Sequence, residues 1–341
     1  MTLREVYRIG TEKLAAAGIE ESSLDAWYLL EHVTGISRVS FLADSAKVME
    51  DDVKEQYLEL IERRAKRIPL QHITGVQEFM GLEFKVNEHV LIPRQDTEIL
   101  VETALEELGK RLRFHTVQSP SGKNTQDGDA SIRILDMCTG SGCILLSTLY
   151  YAKQETEKCG LSAQSRLQKM NRETTYGQTE PTGVLDKGSV TITGLGIDIS
   201  SAALCVAKQN GENLHIEADW IESDLFTGIV GAFDMILSNP PYIPSAVIET
   251  LQPEVREHDP RLALDGKEDG LYFYRRIIEE SREYLNFGGH LIFEIGAEQG
   301  EAVSSYMREC GYTEVTVKKD LAGLDRVVSG MYHNVYQKGI P

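Results

Sequence analysis

Positive charge is scarce in this 341-residue chain: 35 Lys and Arg stand against 53 Asp and Glu, a formal net charge of −18. Non-specific duplex binding depends on clustered cations that neutralise phosphates, so this balance argues against it. One dense basic run, "RRAKR" (63–67), interrupts the deficit and reads as the solvated end of a helix. Cysteine is sparse as well. Cys138, Cys143, Cys159, Cys205 and Cys310 form no C-x-x-C pair and no zinc spacing, and so odd and scattered a set suits a reducing compartment. No stretch approaches the roughly 20 apolar residues of a membrane span. The opening "MTLREVYRIG" is charged and amphipathic, unlike the apolar core of a signal peptide. The expectation is a cytoplasmic protein with no membrane contact, monomeric and without a metal.

What is present is ordinary in bulk and informative in order. Hydrophobic residues make up 41% and charged residues 26%, a soluble composition, and the length allows one large or two moderate domains. Residues 1–72 read as a helical docking domain. Thr2 and Glu5 have capping-box spacing, Gly18 is a stop for the first helix, and Pro69 follows a run with apolar residues at helical spacing. Over 73–110 the period changes to a hairpin, with Asn87 and Glu88 placed near its turn, and then to a helix capped by Asp96 or Thr97. This region reads as a linker.

From 111 to 341 short apolar strands alternate with helical patterns, which predicts an α/β fold with a mainly parallel sheet covered on both faces. The strand candidates are "IRILDMC", "VTITGLGID", "FDMILSNP", "GHLIFEIG" and "YTEVTVKKD". Two polar stretches, 117–131 and 153–189, read as insertions on the far side of the sheet from any site.

Four elements carry chemistry. "LDMCTGSGCILLS" ends the first strand, and Thr139, Gly140, Ser141 and Gly142 make a tight turn that lets a ligand approach the backbone before a helix begins. By itself such a turn is also what any strand-to-helix junction needs. Asp198, at the end of "GLGID", stands where a carboxylate accepts both hydroxyls of a ribose, although it competes with Ser200 for a helix cap. Asp224 and Leu225 follow the apolar segment "NLHIEA", as an acid for an adenine amino group beside a ring cover. The fourth element is "LSNPPYIP" (237–244), where prolines end a buried strand. The side-chain oxygen of Asn239 and the carbonyl of Pro240 are two acceptors for the two N–H groups of a planar amide or amine. Pro241 stiffens the turn, and Tyr242 is expected to stack over the substrate as a lid.

In this order the four elements resemble the class I S-adenosylmethionine-dependent methyltransferases, with a Rossmann-like sheet. "PLQHITGVQEFMGLEFKVNEHVLIPRQDTEILVE" before the turn and "EVREHDPRLALDGKEDGLYFYRRII" after the tetrad narrow the likeness. They resemble the protein-(glutamine-N5) methyltransferases that modify peptide-chain release factors, over nearly the whole chain. The resemblance implies S-adenosyl-L-methionine as cofactor, held by Thr139, Gly140, Ser141, Gly142, Asp198, Asp224, Leu225 and Asn239. It implies that Asn239, Pro240, Pro241 and Tyr242 hold the glutamine of a Gly-Gly-Gln loop in a class I release factor, with Asn239, Pro240 and Tyr242 catalytic. The chain departs from the pattern at Cys138, where a first glycine is common, at Gln95 for a proline, and at Asp259 for a glutamate. Cys138 as a nucleophile lacks a neighbouring base. Two other activities share the tetrad or the cofactor fold: methylation of adenine N6 in nucleic acid, which needs a basic groove, and non-catalytic cofactor binding by a docking protein.

Overall fold

The computed structural model describes residues 1–117, 130–158, 162–163 and 189–333. The first 74 residues form five helices: α1 (Leu3–Ala16), α2 (Ser22–Thr34), α3 (Arg38–Ala43), α4 (Asp51–Ala65) and α5 (Leu70–Thr74). The capping box predicted for α1 is present, with the Thr2 hydroxyl accepting from the Glu5 amide and the Glu5 carboxylate accepting from the Thr2 amide. Gly18 follows the helix at φ 74°. Leu14, Trp27, Leu30, Tyr57 and Ile61 fill the bundle core. Gly10 is there because a Cβ would fall 2.0 Å from the Tyr57 hydroxyl. The basic run is not a solvated helix end. Arg64 is buried against Asp25 of α2 at 2.6 Å, and burial of so hydrated a group requires a partner.

A hairpin follows, β1 (Val76–Phe79) and β2 (Leu82–Lys85). Its turn is Met80–Gly81, at φ 52° and 69°, rather than near Asn87 and Glu88. Two left-handed residues match the twist of the flanking strands. After a short 3-10 turn over Gln95–Thr97 comes α6 (Glu98–Val117). Its Leu100, Val101, Ala104 and Leu108 share one core with Ile132, Ile134 and Ile292, and Phe79 and Phe84 of the hairpin join them. The region read as a linker is therefore packed into the body of the sheet.

That sheet contains β3 (Ala130–Met137), β4 (Ser162–Ala163), β5 (Ser189–Asp198), β6 (Asp219–Glu222), β7 (Phe233–Ser238), β8 (Leu285–Glu294), β9 (Tyr312–Lys319) and β10 (Asp325–Tyr332). The order is β4–β5–β3–β7–β8–β10–β9, with β6 also paired to β5. All pairs are parallel except those of β10, which runs antiparallel to both neighbours. Helices α7 (Cys143–Lys158), α8 (Ser201–Leu214), α9 (Ser245–Ile248), α10 (Pro253–His258), α11 (Arg261–Leu264), α12 (Tyr272–Glu280) and α13 (Gly300–Glu309) complete the described chain. Side chains of α6 and α7 pack on one face of the sheet, and those of α12 and α13 on the other. This is the α/β architecture expected. Of the two stretches read as insertions, 153–158 belongs to α7 and 130–131 to β3, and most of the remainder lies outside the described residues. The chain leaves β3 toward β5 on one side and takes up β7 on the other, which opens a crevice at the carboxyl ends of these strands.

Candidate active site

The first wall of the crevice is the turn after β3. Cys138 at φ 60°, Gly140 at 54° and Gly142 at 79° are all left-handed. The expected freedom of glycine is thus used at a cysteine as well, at a cost of roughly 1–2 kcal/mol. Two anchors hold it: the Thr139 amide donates to the Ile197 carbonyl at 2.9 Å, and the Thr139 hydroxyl donates to Asp136 at 2.5 Å. Burial pushes the Asp136 carboxyl up to about 7. Burial also raises the Cys138 thiol, helped by the nearby charge of Asp198, so a thiolate nucleophile is disfavoured there. The two glycines differ in purpose. A Cβ on Gly140 would meet nothing within 4 Å, which leaves its face open to the crevice. On Gly142 it would lie 3.0 Å from Trp220 and 3.1 Å from Ala207. Gly142 is a packing glycine and does not line the crevice.

Asp198 ends β5 and joins the turn to the next helix. One of its oxygens accepts from the Gly140 amide and the other from the Ser200 amide, both at 2.9 Å. Ser200 takes the cap of α8 through the Ala203 amide, so the capping side chain is that of Ser200 and not that of Asp198. Burial raises the Asp198 carboxyl, and these amide hydrogen bonds oppose the rise. The strand before the third element is not the apolar segment "NLHIEA" (213–218) but β6, Asp219–Glu222, which follows it directly. Leu225 is buried at φ 49°, and its carbonyl lies 2.8 Å from the Ser223 hydroxyl. Asp224 is more engaged than expected, because Arg276 of α12 donates to it at 3.0 Å.

The tetrad follows β7. Ser238 donates its hydroxyl to the Met137 carbonyl at 2.8 Å and so ties this strand end to the glycine turn. Asn239 lines the crevice, and its side chain has no hydrogen-bond partner among the described residues. Pro240 is buried and does not line the crevice, whereas Pro241 does. Tyr242 is not placed as a lid. Its phenol packs into the core below and donates to buried Glu294 at 3.3 Å. Its backbone is pressed by the run after the tetrad: a Cβ on Gly266 would fall 2.7 Å from its Cα, and one on Gly270 2.3 Å from its carbonyl oxygen. Gln299 donates to that same carbonyl at 3.0 Å. Tyr242 is thus a brace that fixes where Asn239 points.

The opposite wall comes from segments whose patterns were noticed but whose side chains were given no role. Val90, Ile92, Pro93 and Arg94 line it, with Pro260, Leu262, Ala263 and Phe273 facing them. Ile199, 51% exposed, adds an apolar shelf beside Asp198. Arg94 crosses to Asp259 at 2.8 Å and closes the two segments on one another. Burial pushes Asp259 up to about 6 against the lowering charge of Arg94. The aspartate that departs from the family's glutamate is therefore a structural partner for Arg94.

Glu294 provides a pH test of the brace. Burial pushes its carboxyl up to about 7. The folded state holds a proton that the unfolded chain releases near 4.5, so this stabilisation is full below that value and is lost as pH rises through about 7. Glu294→Gln keeps an acceptor for Tyr242 and cannot ionise. It is expected to exceed the wild type in stability by about 1–3 kcal/mol at pH 8.5, a gap that closes toward pH 4.5. Urea unfolding at the two pH values checks this.

The family described as "PrmC N-terminal domain" matches residues 5–75, and the one described as "Methyltransferase small domain" matches residues 184–254. The release factor glutamine methyltransferase of Caulobacter vibrioides is 35% identical over 97% of this chain and 96% of its own. The enzyme of the same name from Geobacter sulfurreducens is 36% identical, over 96% of each. A solved structure of a release-factor-specific protein-(glutamine-N5) methyltransferase, from Alicyclobacillus acidocaldarius, is 26% identical. It covers 73% of this chain and 99% of its own, with a TM-score of 0.34. No helix among the described residues is long and apolar enough to cross a membrane.

Proposed function

This chain belongs to the release factor glutamine methyltransferases, and from that premise we propose how its residues perform the reaction. It transfers a methyl group from S-adenosyl-L-methionine to the side-chain amide nitrogen of a release factor glutamine. The carrying observation is that Asn239, whose side-chain amide has no hydrogen-bond partner among the described residues, lines the same crevice as Gly140 and Asp198. The residues fit the cofactor: Gly140 has an open face, Asp198 keeps lone pairs for two ribose hydroxyls, and Ile199 with Leu225 offers apolar cover for an adenine. Asp224 accepts from the adenine amino group with its remaining capacity. Bound there, the cofactor supplies a strongly electrophilic methyl on a positively charged sulfur.

An amide nitrogen is a weak nucleophile because its lone pair is delocalised into the carbonyl. The chain's task is to hold it still and favour a geometry in which that pair is exposed. The Asn239 side-chain oxygen accepts one N–H. The Pro240 ring is buried behind the wall, but its carbonyl is bonded to the nitrogen of the crevice-lining Pro241 and accepts the other. Both stabilise positive charge as it develops on nitrogen. The prolines fix the spacing of the two acceptors, and Tyr242 with Gln299 fixes their direction. No dedicated base is required, since a methylated amide nitrogen is acidic enough to lose its proton to water. The substrate is the protein release factor of class I, through its Gly-Gly-Gln loop, with no nucleic-acid substrate and one chain as the working unit. Mass analysis of purified release factor after incubation with enzyme and cofactor is expected to locate one methyl on the glutamine side chain. A methyl found only on parallel DNA or RNA samples, or none at all, overturns the assignment.

A further inference from the structure

Glu254 is the second residue of α10, and its two oxygens face two arginines of the helical bundle. Arg64 Nη1 lies 3.0 Å from one, and Arg67 Nη2 lies 2.9 Å from the other. Both arginines belong to the "RRAKR" run. Exposed ion pairs contribute little, but this one is shielded: the Arg64 and Glu254 side chains are only 9% and 16% exposed. Each arginine is also anchored inside the bundle. Arg64 donates to Asp25 at 2.6 Å and to the Ile68 carbonyl at 3.3 Å. Arg67, at φ 68°, donates to the Gly18 carbonyl at 2.8 Å. A carboxylate shared by two pre-positioned guanidinium groups is held in place as well as in charge.

The segment that carries Glu254 runs on into the crevice. Asp259 is gripped by Arg94, and Pro260, Leu262 and Ala263 line the wall opposite the glycine turn. Leu262 is 54% exposed there. The wall is thus pinned at one end by the bundle and at its middle by Arg94. We propose that Arg64, Arg67 and Glu254 form a clamp through which the helical bundle positions the substrate-facing wall, so that Arg67 and Glu254 are positioning residues for the release factor. This rests on the proposed function and adds to it that the wall, which lines the same crevice as Asn239, meets the release factor. It assigns the bundle a part in catalysis through shape rather than through contact with reacting atoms.

Arg64 is a poor test, because its removal strands buried Asp25. Glu254→Gln keeps shape and leaves the Arg64–Asp25 pair intact. Its KM for release factor is expected to rise about tenfold, with kcat and cofactor Kd within about twofold of wild type. The double variant Arg67→Ala/Glu254→Gln is expected to raise KM no further than Glu254→Gln alone, since the Arg67–Glu254 pair is lost only once and the Arg67–Gly18 bond stays within the bundle. Hydrogen exchange over 255–264 is expected to quicken in Glu254→Gln at a temperature where circular dichroism shows both proteins fully folded. Unchanged KM, additive effects of the two substitutions, or unchanged exchange overturns the clamp. If wild-type enzyme leaves release factor unmethylated, the functional reading fails instead, and the exchange measurement still decides whether the clamp exists.

Discussion

Asn239→Ala is expected to lower kcat by about 10²–10³-fold while the cofactor Kd moves by less than about threefold. The asymmetry follows from where the residue sits. Asn239 lines the crevice, and deleting its side-chain amide breaks no hydrogen bond among the described residues. The backbone around it is fixed independently, by the Ser238 hydroxyl on the Met137 carbonyl and by Gln299 on the Tyr242 carbonyl. The glycine turn and Asp198 are untouched, and so is the cofactor's share of the site. What disappears is one of two acceptors that strengthen as charge grows on the substrate nitrogen, a loss confined to the transition state. Single-turnover methylation of release factor, beside calorimetric binding of cofactor, separates the two quantities. Turnover within tenfold of wild type would remove Asn239 from its catalytic role.

Asp198→Asn is expected to weaken cofactor binding by about 30- to 1000-fold, nearly as much as Asp198→Ala. The substitution is isosteric, yet the aspartate is surrounded by donors. The Gly140 amide points at one oxygen and the Ser200 amide at the other. An asparagine has a single acceptor oxygen, so its NH₂ must face one of these N–H groups whichever way it turns. The same NH₂ is useless to a ribose hydroxyl that needs an acceptor. Charge-assisted hydrogen bonds contribute about 1.5–3 kcal/mol each, and losing one while a second meets a donor costs about 2–4 kcal/mol, which is the 30- to 1000-fold range. Calorimetry on folded variants tests it, and an Asp198→Asn Kd within threefold of wild type would show that the carboxylate is not the ribose acceptor.

Much of this site is legible in the sequence. Strand ends carry their functional residues by position, so Thr139, Gly140, Asp198 and Asn239 could be read from where apolar runs stop. Other features depend on contacts that no local pattern encodes. Strand β10 was missed because Asp325 and Arg326 open it and Gly330 interrupts it. That glycine is a tertiary requirement, since a Cβ would fall 2.8 Å from the Met307 methyl. Strand β6 is short and polar at the sheet margin, so the apolar letters before it gave the wrong register. The hairpin turn was misplaced because a methionine at positive φ carries no turn signature. Tyr242 was read as a lid from its chemistry alone, whereas Glu294, 52 residues on, decides where its hydroxyl goes. The opposite wall was visible as text, but only the pairing of Arg94 with Asp259 brings its two segments together.

The antiparallel seat of β10 has a consequence for how the protein is made. It is the last of the described strands in sequence, yet it lies between β8 and β9 and pairs with both. During synthesis β8 must wait with a bare edge, and β9 with no partner at all, until residues 325–332 leave the ribosome. An unpaired apolar edge such as that of β8 is a template for association with other chains. The nascent chain is therefore most exposed to aggregation, and most in need of a chaperone, in the short interval between the emergence of β8 and that of β10.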